Sequence, residues 1–337
     1  MKKVFLPLLL LVAFQATAQP AKEWQPLLDS VIDIMRNNAL HRHELNWRKV
    51  RGNLYDKIKG IQDSDSLMAK MPYLFELIGD YHGGIQTNSK FYSWTAGQPP
   101  TRSNTALDSA MRKAPKLLTQ RWGDIGYFRL PGGTTKNLPL VTQMLSDSLC
   151  TLQPATIKGW IIDLRLNTGG NIWFMLPPLA GLLGEGMTGG VKYVNGQPDG
   201  KSYIKDGKVW GNGTSYEVPQ PKCIIAGTSI PVVILTGPKT ASSAEGVTLA
   251  FKGRPNTIVI GEPTAGLITS NNTWTLRHGI TLVLATGYMM DRQGNHYTAA
   301  ITPDLLIEGG DDLFQMEYDR KIAAAKQWLD KRMVSGR

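Results

Sequence analysis

From Trp24 to about Gly79 the apolar residues recur at intervals of three and four. They are Leu27, Leu28, Val31, Ile32, Ile34 and Met35, then Leu54, Ile58 and Ile61, then Leu67, Met71, Leu74, Leu77 and Ile78. That spacing lines one face of a helix and predicts three helical segments. A stretch rich in Gly, Pro, Ser and Thr follows, SWTAGQPPTRSNT, and a short helix is expected from Ala106 to Leu118. This part of the chain reads as a helical cap with a loop, not as part of a sheet.

After Arg121 the period changes. IGYFRL, GWIIDLRL, CIIAGT, PVVILTG, TIVIGEP and ITLVLATGYMM are short apolar, β-branched runs closed by Gly, Pro or Asp, the signature of buried strands. Between several of them lie helical stretches, LPLVTQMLSDSLCTL, FMLPPLAGLLG and SAEGVTLAFKG, and Asp311 to Met333 reads as an amphipathic C-terminal helix. Strands alternating with helices predict an α/β core. The expected division is residues 1–18 as a leader, 19–118 as the helical cap and loop, and 119–337 as the core.

The leader expectation comes from MKKVFLPLLLLVAFQATAQP, two lysines and an apolar run ending in the small-x-small pattern of Ala16 and Ala18. The run is too short to span a bilayer, which needs about 20 apolar residues, so an exported protein without a membrane span is expected, periplasmic or extracellular. Lys and Arg are spread along a chain of net charge +10 with no dense basic block, which argues against a nucleic-acid partner. Cys150 and Cys223 can pair after export or remain two buried thiols. The five histidines show no metal-ligand spacing, and neither a metal nor a cofactor is called for.

Three places can carry chemistry. In GPKTASSAEG a buried strand leads into a helix starting near Ser242, where a hydroxyl meets the positive end of the helix dipole. The alternative is that Ser242 and Glu245 only form a capping box. In IIDLRLNTGGN the glycines Gly169 and Gly170 close a strand and can aim backbone N–H groups at an oxyanion, or simply make a turn. In IGDYHGGI, His82 stands where the last cap helix runs into Gly83 and Gly84, free to act as a base or to cap the helix C-terminus. A hydroxyl, an imidazole and an amide nest are the parts that acyl transfer needs.

From about residue 44 to 308 the landmarks ELNW, LIGDYHGGI, IGYFRLPGG, GWIIDLRLNTGGN, PVVILTGPKTASSAE, TIVIGEPTAG and the closing ITPD occur in order. Together they resemble the tail-specific, or C-terminal processing, serine peptidases. The resemblance implies a crotonase-like (Clp-protease-like) core, a peptide or protein substrate, Ser242 as nucleophile, and oxyanion donors from Ser243 and from Gly169 or Gly170. Leu267 stands where those enzymes carry their base lysine. Asp80 and His82 match the D-x-H element of the branch that resembles the tricorn core and the interphotoreceptor retinoid-binding protein. The segment from Phe91 to Trp122 is short and polar for a PDZ domain, which selects the same branch.

That branch orients its histidine with a Glu just before the ITPD element, and residues 296–300 contain none; Asp291, Glu262 and Asp304 are the substitutes at hand. The missing Glu makes a catalytically weak relative that binds peptides or an apolar ligand the alternative reading. A third, a penicillin-recognising acyltransferase, would use Ser202-Tyr203-Ile204-Lys205, although its surroundings read as a hairpin.

Overall fold

The computed structural model describes residues 24–98, 104–225 and 227–335, so the expected leader at 1–18 lies outside the described residues. Contacts divide the chain into two units: the residues up to Trp94 with Thr273–Val283, and Thr95–Asn272 with Leu284–Arg337. No helix among the described residues is long and apolar enough to cross a membrane.

The first unit is built on α1 (Gln25–Asn38), α2 (Trp47–Lys57), α3 (Ser64–Met68) and α4 (Pro72–Leu77). Leu27, Leu28, Val31, Ile32 and Met35 form the buried face of α1. Asn46 and Asp63 cap α2 and α3 by accepting the N–H groups of Lys49 and Ser66. The third expected segment divides in two because Pro72, which has no N–H to give, starts a new helix. Against the expectation of a sheet-free region, β1 (Gly84–Gln86) and β2 (Phe91–Tyr92) pair antiparallel, and β1 also pairs with Thr281–Val283. Strands this short carry no readable alternation.

In the second unit α5 (Thr105–Lys113) ends before Pro115, and Leu118, expected at the end of that helix, instead opens β3 (Leu118–Trp122). The core is a sheet with the strand order β14-β11-β10-β5-β4-β3, where β4 is Ile125–Arg129, β5 Gly159–Asp163, β10 Val232–Thr236, β11 Thr257–Gly261 and β14 Leu305–Leu306. All its pairings are parallel except β3 with β4. Alternation distributes the apolar residues to two faces. Phe128, Trp160, Ile162, Val232 and Ile234 meet α6 (Leu138–Cys150), α7 (Ile172–Met175), α8 (Ala180–Leu183) and α9 (Ser243–Phe251). Tyr127, Ile161, Val233 and Leu235 meet Ile322, Ala325 and Leu329 of α10 (Arg320–Ser335). The C-terminal helix starts at Arg320, later than expected, because Asp311 and Asp319 are buried in the preceding loop.

A second, antiparallel set runs from the end of β13 (Thr281–Met290) through β6 (Gly186–Tyr193), β7 (Gly200–Lys205) and β8 (Lys208–Gly211) to β9 (Thr214–Tyr216). Two of its turns are Asp206-Gly207 and Asn212-Gly213, all at φ between +51° and +73°, which is the two-residue hairpin chemistry of D-G and N-G pairs. Ser202 and Lys205 lie within β7, which forms the expected hairpin with β8, so no helix start presents that serine. CIIAGT, expected as a strand, forms none among its described residues. Cys223 is bonded to Cys150 there, and the next residue, Ile224, is exposed.

Candidate active site

The exits of β5 and β10 lie side by side at the carboxyl edge of the parallel sheet, and there the two motifs of the second unit meet. Thr240 stitches them: its Oγ1 donates to Leu164 O (2.9 Å) and accepts from Gly237 N (3.0 Å). Ala241 N donates to Asn167 O (3.1 Å). The loop from Gly237 to Ala241 is therefore held by the strand beside it and delivers Ser242 directly onto the N-terminus of α9.

Ser242 sits at φ +54°, ψ −118°. An L-residue held there stores about 1–3 kcal/mol of backbone strain, tolerated only where the surroundings over-determine it. Glu245 supplies part of that constraint, its Oε2 accepting the Ser242 N–H at 2.7 Å. Its Oε1 accepts Thr264 Oγ1 at 2.6 Å and Gly266 N at 2.9 Å. Burial pushes the Glu245 carboxyl up to about 7, against the pull of these donors.

The glycine loop packs against this turn. Asn167, fully buried, accepts the Gly169 N–H at 2.9 Å, so that amide is occupied. The Gly170 carbonyl accepts the Ser243 hydroxyl at 2.7 Å, and among the described residues the Gly170 N–H has no acceptor. Ser243 opens α9, so its N–H has no partner within the helix. Gly133 braces the loop from behind, donating to Gly169 O and accepting from Asn171 N.

In the first unit, backbone amides meet carbonyls at the end of α4. The Gly79 and Asp80 amides donate to Glu76 O and Phe75 O, with Gly79 at φ +66°, which satisfies the helix carbonyls. Asp80 Oδ1 then accepts the N–H groups of His82 (3.0 Å) and Gly83 (2.7 Å), fixing the backbone of the turn that carries the imidazole.

The carboxylates considered as orienters all have structural work in the second unit. Glu262 meets Lys321 Nζ (2.5 Å) and Asn104 (3.1 Å). Asp291 holds the amides of Gln293 and Asn295 and the Tyr297 hydroxyl. Asp304 accepts Val259 N. The Asp163-Leu164-Arg165 motif is structural as well. Arg165 bonds Asp163, Asp311 and Asp319, and Lys321 joins Asp311 to Glu262, all deep in the core. Burial raises the Asp163 carboxyl, but the Arg165 charge and hydrogen bonds outweigh it and bring the group down to about 2. This network escapes sequence reading, because its members come from segments far apart in the chain.

A family model, Peptidase family S41, matches residues 124–307. The Nisin-resistance protein of Lactococcus lactis subsp. lactis is 31% identical over 157 residues, covering 46% of this chain and 48% of its own, so the chain spans about half the length of that relative. Among solved structures, a lipoprotein from Streptococcus agalactiae superposes with a TM-score of 0.67 at 24% identity, covering 90% of this chain and 95% of that one. The photosystem II D1 C-terminal processing protease gives 0.53 at 12% identity, covering 84% and 93%. These likenesses agree with the α/β, Clp-protease-like core described above. With more than half of its residues matched by the family model, the chain belongs to peptidase family S41.

Proposed function

We propose that the chain is an exported serine endopeptidase of the His-using branch, with Ser242 as nucleophile and His82 as general base. In this reading His82 takes the Ser242 proton as Oγ attacks the peptide carbonyl, and the N–H groups of Gly170 and Ser243 receive the oxyanion. The imidazolium then protonates the leaving amine, and water, deprotonated by the same ring, releases the acyl group. The observation that carries the proposal is the strained serine at the mouth of α9, beside a glycine amide that has no acceptor among the described residues.

The base assignment is supported by the match of Asp80 and His82 to the D-x-H element and by Asp80 Oδ1, which accepts the His82 and Gly83 amides and fixes the turn that carries the ring. At position 267 a leucine cannot take a proton. A chain without a PDZ insert is part of the proposal, since β2, a 3₁₀ turn at Thr95–Gly97, α5 and β3 are the elements described between Phe91 and Trp122. Export is supported by the Cys150–Cys223 disulfide, which persists in oxidising compartments.

A second reading, a slow relative that mainly retains its peptide, is favoured by the structural commitments of Glu262, Asp291 and Asp304. A fluorophosphonate probe and a peptide library separate the two. The enzyme reading expects labelling that disappears in Ser242→Ala and peptide cleavage that disappears in His82→Ala. Labelling that persists in Ser242→Ala removes the nucleophile assignment, and peptide binding without turnover selects the second reading.

A further inference from the structure

A glutamate that completes a capping box needs only one oxygen, and a glutamate is seldom fully buried unless it is paired. Glu245 has no exposed surface and uses both oxygens. One holds the Ser242 amide; the other meets Thr264 Oγ1 and the Gly266 amide, which belong to the segment after β11 and not to α9. Thr264 is held in turn, its Oγ1 accepting Ile301 N at 2.8 Å, and Ala265 N donates to Thr240 O at 2.9 Å in the loop that leads to Ser242. The strained serine is thus tied by one carboxylate to a strut outside its own helix.

We propose that Glu245 is a positioning residue for the nucleophile: braced by Thr264 and Gly266, its carboxylate holds the Ser242 peptide in the left-handed conformation that aims the hydroxyl. This rests on the assignment of Ser242 as nucleophile. The groups around the carboxyl, the Thr264 hydroxyl and the amides of Ser242, Gly266 and Leu267, all give hydrogen bonds, so the site suits a side chain with two acceptor oxygens. Glutamine at this position turns an N–H₂ toward another donor, and aspartate is one methylene too short to reach both sides. The Ser242 amide, spent on Glu245, is unavailable to an oxyanion, which leaves that task to Ser243 and Gly170.

The test compares wild type, Glu245→Gln, Thr264→Val and Thr264→Ser by fluorophosphonate labelling rate, by kcat and KM on a cleaved peptide, and by thermal melting. Folded Glu245→Gln is expected to lose about tenfold to a hundredfold in labelling rate and kcat, with KM within about twofold, the pattern of a misaimed nucleophile. Thr264→Val is expected to slow labelling, and Thr264→Ser to recover most of that loss, because the serine hydroxyl keeps the bond to Glu245. Wild-type labelling and kcat in a folded Glu245→Gln protein overturn the inference while Ser242 stands. If that variant does not fold, a wild-type rate in Thr264→Val overturns it instead. A wild type that no probe labels, or labelling that survives Ser242→Ala, overturns the nucleophile assignment and this inference with it.

Discussion

A β-carbon placed on Gly169 would stand 2.7 Å from the Ser242 Cβ and 2.8 Å from the Ala241 carbonyl oxygen. Gly169 also adopts φ +97°, where side chains are strained whatever the space. Gly169→Ala must therefore push the glycine loop and the serine turn apart. It is expected to destabilise the fold by about 1–3 kcal/mol and to abolish most activity, read by denaturant melts and by probe labelling. Wild-type labelling in Gly169→Ala would show that the two turns move independently.

Lys321 is fully buried and bonds both Glu262 (2.5 Å) and Asp311 (2.6 Å). Lys321→Met leaves two carboxylates without their shared cation. A loss of about 3–5 kcal/mol in unfolding free energy is expected, because breaking one side of a buried pair strands the other. A melt within experimental error of wild type would mean that the Arg165 charge and the Asn104 hydrogen bonds suffice to hold the cluster.

Glu245 and Asp163 act on opposite sides of the pH axis. Burial pushes the folded Glu245 carboxyl from its ordinary 4.5 up to about 7, so between those values the native state keeps a proton that the unfolded chain has released. Its contribution is full below 4.5 and is lost as pH rises toward 7, a cost of up to about 3 kcal/mol. Asp163 is lowered from 3.8 to about 2; its contribution is present above 3.8 and is lost as pH falls toward 2. Glu245→Gln is expected to flatten the decline between pH 4.5 and 7 in a stability profile measured by denaturant. Parallel wild-type and variant curves in that window would contradict the raised carboxyl.

Cys150 and Cys223 close a sequence separation of 73 residues. Reduction, or replacement of both by serine, is expected to lower stability by roughly 2–4 kcal/mol. The same seam keeps Gln143 on the Gln220 backbone and Asp147 on Lys222, so the folded shape should survive. Melting with and without a reductant reads this directly, and an unchanged melt would deny the bond a role in stability.

Elements with a strong period were legible. The runs that became β4, β5, β10, β11 and β13, with α6, α9 and three helical segments of the first unit, each carry enough apolar residues to announce a buried face, although the break at Pro72 that makes the third segment two helices was not read. The β6 to β9 meander was not read beyond one hairpin, although Asp206-Gly207 and Asn212-Gly213 were its signal. β1, β2 and β14 are two or three residues long, below what any alternation can reveal.

The sequence by itself determined that a serine follows a buried strand at the head of a helix, that paired glycines close another strand, and that both belong to an α/β core. Local periodicity and turn chemistry suffice for that, because each signal lies within one segment. Only the tertiary structure decided that Asn167 occupies the Gly169 amide, that Glu245 reaches Thr264 and Gly266, that Arg165 serves the core, and that the two cysteines join. A hydrogen bond or ion pair is settled by which groups burial brings within about 3 Å, and for partners from separate segments that depends on how the whole chain closes.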